Sequence, residues 1–369
     1  MFNLSAFVLE GLQSVFFFSL ALWALFRVLR FFSRCRAPSN GVKSISIIIP
    51  ARNEERRLPK LLNSIRYQTV KPLEVIVVND DSSDATAEVA ERYGAKVLNV
   101  KPPQGWLGKS FACYAGARAA QGEILLFLDA DVILAPEFLE RFGGHIGENT
   151  VLSIQPYHIL EDFYEHFSLL FNLIAVLGMD ARKKKNCTFK TKGLFGPCIF
   201  FPRRLYEETG GHLLARSSII EDVDMGISLA ERGVNLLSLP HNGLISFRMY
   251  PEGIRSLIFG WMKNFATGAS RSSIFTILQV FGIVATSFNC LKGIFENLNS
   301  PLVLGYTLLY VVFLVLVYVA ATKLGSFKWW DTIMWPLHVT FFVVVFLLSL
   351  VLRFLHIPIP WRGRRVYPS

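Results

Sequence analysis

This sequence has no paired cysteine spacing, no even spread of charge and no cleavable leader. Its five cysteines are Cys35, Cys113, Cys187, Cys198 and Cys290. None stands at metal-ligand spacing, which excludes a zinc ribbon, and the cytosolic placement argued below leaves them as free thiols. Charged residues are 18% of the 369, against 52% hydrophobic. With a mean hydropathy of +0.40, the chain is too apolar for an ordinary soluble enzyme. No internal repeat or low-complexity segment occurs. The first apolar run lacks the basic start and small-residue cleavage site of a secretory signal, and Arg27, Arg30, Arg34 and Arg36 follow it. It therefore reads as an uncleaved anchor.

What the chain does have is four long apolar runs, at 6–32, 275–295, 301–321 and 332–355, each near the roughly 20 residues that cross a bilayer. They divide it into an anchor (1–36), a polar domain (43–265), carboxyl-terminal membrane segments (270–356, two or three spans) and a basic tail (357–369). Lys and Arg beside a span prefer the cytoplasm, so the arginines after the anchor predict a cytosolic polar domain in a multi-pass protein of the cell membrane. By the same rule the tail is expected in the cytosol. The run from Phe275 carries Gln279, Asn289 and Lys292 and could be interfacial or re-entrant. The net charge of +10 borders apolar runs, which points to an anionic membrane surface and not to nucleic acid.

Between Lys43 and about Tyr250, short β-branched runs alternate with helical stretches, a βαβ pattern of the α/β class. Three runs end in polar clusters: Pro50-Ala51-Arg52-Asn53-Glu54, Asn79-Asp80-Asp81-Ser82 and Asp129-Ala130-Asp131. Ligands of open α/β sheets bind beyond the carboxyl ends of strands, so the three clusters would converge on one crevice. The segment 161–178 is apolar with scattered charges and reads as a buried helix or as one lying at the membrane surface.

Asp129 and Asp131 leave the sheet at that crevice. Mg²⁺ or Mn²⁺ uses one or two protein carboxylates and takes its other oxygens from pyrophosphate and water; it would neutralise charge on a leaving nucleoside diphosphate. Alone, Asp-x-Asp is as ordinary as a solvated turn; the neighbouring clusters favour the metal. Gly105-Trp106-Leu107-Gly108-Lys109-Ser110 opens a helix but lacks the spacing of a Walker motif, which excludes a P-loop.

In order and spacing, the three clusters resemble glycosyltransferase family 2 over roughly residues 43 to 265. The resemblance implies a GT-A fold flanked by transmembrane helices, a UDP-sugar donor and a divalent metal. It puts Pro50, Ala51 and Glu54 along the nucleoside, Asp80 on the uracil imide N–H, Lys109 near the nucleotide, and Asp129 and Asp131 on the metal. Asp81 falls where the family commonly has glycine, which leaves open which of Asp80 and Asp81 reaches the base. Glu221-Asp222-Val223-Asp224 resembles the family's acceptor-site motif, with Asp222 as the base and Glu221 orienting the acceptor. Gly196, Cys198 and His212 fall in loops like those around the acceptor pocket. For Glu54, Asp80 and Asp224, helix-start or turn carboxylates are the plainer readings.

The Gln-x-x-Arg-Trp of processive synthases is absent. Its place reads Ile258-Phe259-Gly260-Trp261-Met262-Lys263-Asn264, where Trp261 could stack on the acceptor and Lys263 face the pyrophosphate, or both could serve as interfacial anchors. The missing arginine and the few later spans argue for a single transfer. The layout is most similar to that of bacterial carotenoid-acid glycosyltransferases, which implies glucose from UDP-glucose passing with inversion to an apolar carboxylic acid. Polyprenyl-phosphate and glycerolipid acceptors, and a catalytically inactive membrane binding partner, are the alternatives. The basic run 182–185 could attract an acidic acceptor or anionic headgroups, or be solvated. Oligomeric state is open.

Overall fold

A computed structural model describes residues 4–33, 43–144, 146–183, 189–361 and 364–367. Arg34, Cys35, Arg36, Lys184, Lys185 and Cys187 lie outside the described residues. The chain forms two compact units: Met1–Ser33, Leu160–Asp180 and Tyr250–Leu355 make one, and Arg34–Ile159, Ala181–Met249 and His356–Ser369 the other. Packing thus draws its boundaries differently from the hydropathy runs. The 160–180 segment joins the long helices, and the tail joins the polar unit.

The polar unit is built on strands β1 (Ile45–Ala51), β2 (Glu74–Asp80), β3 (Lys96–Val100), β4 (Ile124–Leu128), β5 (Val132–Leu134), β6 (Thr150–Gln155), β7 (Tyr157–His158), β8 (Arg182–Lys183), β9 (Phe189–Lys190), β10 (Cys198–Pro202), β11 (Asn235–Pro240) and β12 (Ile245–Phe247). Nine of these form one sheet in the order β3-β2-β1-β4-β10-β6-β11-β9-β8. It is parallel from β3 to β4, and β10 then runs antiparallel to β4. The strands β5, β12 and β7 make a small second sheet, and a tail hairpin pairs β13 (Ile359–Trp361) with β14 (Arg364–Val366).

Alternation along the strands explains the layering. Ile47, Ile49, Leu126 and Leu128 face one core with Leu58, Leu61 and Val89, while Ile48, Leu125 and Phe127 face the other with Ala112, Ala117 and Met225. Each such buried Ile or Leu contributes about 1.5–3 kcal/mol. A central sheet covered on both faces must read as continuous hydrophobic runs, as β1 and β4 do. Helix Gly108–Ala119 sits close on the sheet because a Cβ at Gly116 would fall 2.5 Å from Ile48.

Among the described residues, four helices of the other unit are long and apolar enough to cross a membrane: the first helix over Glu10–Phe31, then Ile274–Glu296, Leu302–Leu324 and Trp335–Phe354. The run from Phe275 is therefore a continuous helix. Apolar side chains such as Leu304 and Leu308 face outward, as lipid-facing positions do. Inside, small residues let helices approach, Gly282 against Leu20 and Gly293 against Tyr306. Arg27 is held by Asp180 at 2.7 Å and Gln279 at 2.6 Å.

Candidate active site

The first sequence clusters occupy the carboxyl ends of β1, β2 and β4. Asn53 and Asp81 carry them around tight bends with φ of 54° and 52°, the left-handed region that Asn and Asp tolerate better than other side chains. That is why an aspartate can stand where glycine was expected. Arg52 braces the bend by donating to the carbonyl oxygens of Asp80 at 2.6 Å and Asp81 at 2.9 Å. The Asp80 carboxylate is buried, whereas that of Asp81 is exposed and lies 3.7 Å from Arg52. Glu54 is buried beside Arg57, at 3.5 Å, and Ala51 is buried in the core.

Pro50, Lys109, Asp129, Gly196, His212, Glu221 and Asp222 line one pocket. Lys109 sits among its carboxylates, 2.8 Å from Asp129 and 2.9 Å from Glu221. Partial burial works to lower its pKa, but Asp129, Glu221 and Asp222 together outweigh that and hold it raised. At the end of β4 the Asp129 N–H donates to the Pro197 carbonyl at 3.1 Å. This joins the parallel half of the sheet to the loop before β10.

Asp131 has a buried Oδ1 with no hydrogen-bond partner. Burial, then the Asp129 charge, push its carboxyl up to about 7. Among the described residues no cluster of three or more metal-ligating side chains forms. Two carboxylates forced together, one oxygen left unsatisfied, nonetheless fit a hard divalent ion that completes its shell from a diphosphate and water.

Asp222 stands at the start of helix Glu221–Glu231. Its Oδ2 accepts from the Gly196 N–H at 2.9 Å and its Oδ1 from its neighbour Val223 at 3.0 Å. A Cβ at Gly196 would meet Oδ2 at 2.6 Å, so glycine is required for this contact. Burial, then the Glu221 charge, raise Asp222 to about 6 against the pull of Lys109. At neutral pH it is ionised, yet far more basic than an exposed aspartate, the range suited to general-base work.

His212 is buried and burial lowers it to about 4, so it is neutral. The Tyr206 hydroxyl lies 3.0 Å from its Nδ1, and its ring centroid packs 4.7 Å from that of Phe127. Gly211 permits this, since a Cβ there would strike the Tyr206 ring. Cys198 is fully buried in the core beneath β10 and its thiol is pushed up by burial; it is an inert packing group, and its neighbour Ile199 lines the pocket in the place expected for it, because alternation along the strand turns Cys198 to the other face. Trp261 and Lys263 belong to the helical unit. There the Trp261 indole is buried, stacks on Phe171 at 4.8 Å and donates to Ser168 at 3.2 Å; its face is taken up by packing.

Sequence reasoning passed over Arg57, Tyr206 and Arg364 as parts of the site. Arg57 is three residues from Glu54 in a helix start, and its charge also reaches Asp131. Arg364 was read only as tail charge, although both its terminal nitrogens bind Asp80.

The glycosyl transferase family 2 profile matches residues 46–210. A 4,4'-diaponeurosporenoate glycosyltransferase of Staphylococcus haemolyticus is 41% identical over 67% of this chain and 68% of its own length. The enzyme of that name from Staphylococcus aureus is 35% identical over 88% of each chain. In structure, the chain is similar to a Pyrobaculum calidifontis mannosyltransferase solved with GDP-mannose and Mn²⁺. The TM-score is 0.55 at 16% identity, covering 93% of this chain and 99% of that one. That likeness concerns the fold, which is the GT-A architecture expected from the sequence.

Proposed function

This chain belongs to glycosyl transferase family 2, and from that membership we propose that it moves one hexose, glucose from UDP-glucose, onto the carboxylate of an apolar carotenoid acid at the cytosolic face of a membrane. The observation that carries the acceptor class is the similarity to diaponeurosporenoate glycosyltransferases across 88% of both chains. The four long apolar helices suit an acceptor dissolved in lipid, and the arginines after the first of them support the cytosolic side.

In the proposed reaction the bond from the anomeric carbon to the diphosphate oxygen breaks as a carboxylate oxygen bonds to the opposite face of that carbon. The products are UDP and a glycosyl ester of inverted configuration. Asp80 takes the uracil imide N–H, with Pro50, Ala51 and Glu54 beside the nucleoside. Asp129 and Asp131 would hold the divalent ion, which would supply positive charge for the departing diphosphate. Lys109, already paired with Asp129 and Glu221, offers a second positive charge there. Glu221, Gly196 and His212, which line the pocket, shape the acceptor side. Lys263 lies in the helical unit and takes no part in this assignment.

A carboxylate acceptor arrives ionised and needs no base. Asp222, held near 6 by its surroundings, is instead suited to a hydroxyl acceptor, which makes a glycerolipid the second reading. Both are tested by supplying membranes with radiolabelled UDP-glucose and MgCl₂ or MnCl₂, with either a carotenoid acid or diacylglycerol, and comparing Asp222→Asn with wild type. Label in the carotenoid acid, reduced less than about tenfold by Asp222→Asn, supports the first reading. Label in diacylglycerol that falls by about 10²–10⁴ supports the second. No label in either lipid refutes both.

A further inference from the structure

The tail hairpin brings Arg364 onto Asp80, with Nη1 2.8 Å from Oδ2 and Nη2 2.9 Å from Oδ1. Both oxygens of that carboxylate thus accept from one guanidinium, the bidentate arrangement in which such pairs are strongest. Asp80 is 4% exposed at the end of β2. The contact is tight, because a Cβ on Gly108 would fall 2.0 Å from both Arg364 Nη1 and Asp80 Oδ2. The tail therefore occupies the group assigned above to the donor base.

We propose that Arg364 competes with the donor base for Asp80, so that the tail is a latch which must release before the nucleotide binds and which sets donor affinity. This rests on the reading of Asp80 as the base acceptor. With Arg364 on both oxygens and the Gly108 backbone close against Oδ2, Asp80 is only 4% exposed and presents no open edge to an incoming imide N–H. Arg364 must swing away first. Its side chain is 32% exposed, so water can receive the freed guanidinium, while the buried Asp80 passes from one donor to another and is never left without a partner. Apparent affinity is the intrinsic affinity multiplied by the fraction of unlatched chains, and an intact latch keeps that fraction small.

The test uses the full chain in detergent and titrates UDP, and separately inorganic pyrophosphate, with MgCl₂ present. Wild type is compared with Arg364→Gln and Asp80→Asn. Arg364→Gln should tighten UDP about three- to thirtyfold and leave pyrophosphate, which has no base, unchanged. Added to Arg364→Gln, Asp80→Asn should weaken UDP alone. If Asp80→Asn, added to Arg364→Gln so that no latch is left to offset the loss, leaves UDP binding unchanged, the base assignment fails and the latch falls with it. If it weakens UDP there but Arg364→Gln by itself leaves UDP unchanged or weakens it, the base assignment stands and the latch is overturned. Weakening of both ligands by Arg364→Gln would make Arg364 a phosphate contact, which also overturns it.

Discussion

Replacing Asp131 with Asn should stabilise the protein in the absence of metal while abolishing transfer. Burial and the neighbouring Asp129 raise the Asp131 carboxyl from 3.8 to about 7. An acid raised in the folded state binds its proton more tightly there than in the unfolded chain. Its share of stability is complete below the unfolded value of 3.8 and is lost as pH rises through about 7. At about 1.36 kcal/mol per pKa unit, that shift has a ceiling of about 4 kcal/mol at the alkaline end. Asparagine removes the ionisation but buries an amide, at a cost of about 1–3 kcal/mol if unpaired. A net gain of up to about 1–3 kcal/mol is expected. The assay is thermal unfolding in detergent with EDTA, from about pH 5 to pH 8. The wild-type midpoint should fall across this range, the variant should show a flatter profile, and the variant should lie higher at pH 8. A variant that unfolds earlier at pH 8, or keeps the wild-type slope, refutes the argument. Such a result would mean that the carboxylate pair is not the strained element of the site.

Two further substitutions probe the same architecture. Gly196→Ala places a methyl 2.6 Å from Asp222 Oδ2, so the carboxylate must leave its N–H partner. With a hydroxyl acceptor, which needs Asp222 as base, transfer should fall at least about tenfold and the acid limb of the pH–rate profile should move above the wild-type value near 6, whereas transfer to a carotenoid acid should fall less; an unchanged profile with the hydroxyl acceptor would show that the Gly196 contact does not tune Asp222. Trp261→Ala should cost about 3–5 kcal/mol, because the indole is buried against Phe171. The helical unit should then unfold earlier in detergent; a stable variant that had lost only acceptor binding would return Trp261 to an acceptor-stacking role.

Much of the fold was legible because β1, β2 and β4 are short buried runs closed by polar clusters, a pattern that period-two packing between two cores imposes on any central strand. The carboxylates at those ends were legible for the same reason. Less was readable where a residue acts at long range or through its backbone. Nothing local to Gly196 tells that its N–H serves a carboxylate 26 residues later. The segment 160–180 reads as an apolar helix in either unit, and only its partners, such as Trp261 on Phe171, assign it. Trp261 shows the converse, since an aromatic beside an apolar run gives no sign of whether its face is open or packed. Arg364 was hidden because a basic tail looks alike whether it is solvated or docked.

The docking of Arg364 on Asp80 also has a consequence in time. The partners are 284 residues apart, so at about 5–20 residues per second Asp80 leaves the ribosome some 15–60 seconds before Arg364 exists. Once β4 has followed β1 and β2 the three can pair, while the buried carboxylate still has no guanidinium to receive. The nascent sheet must therefore stand without its tail, with Asp80 served by water. Every newly made molecule passes through an open form before the last residues close it.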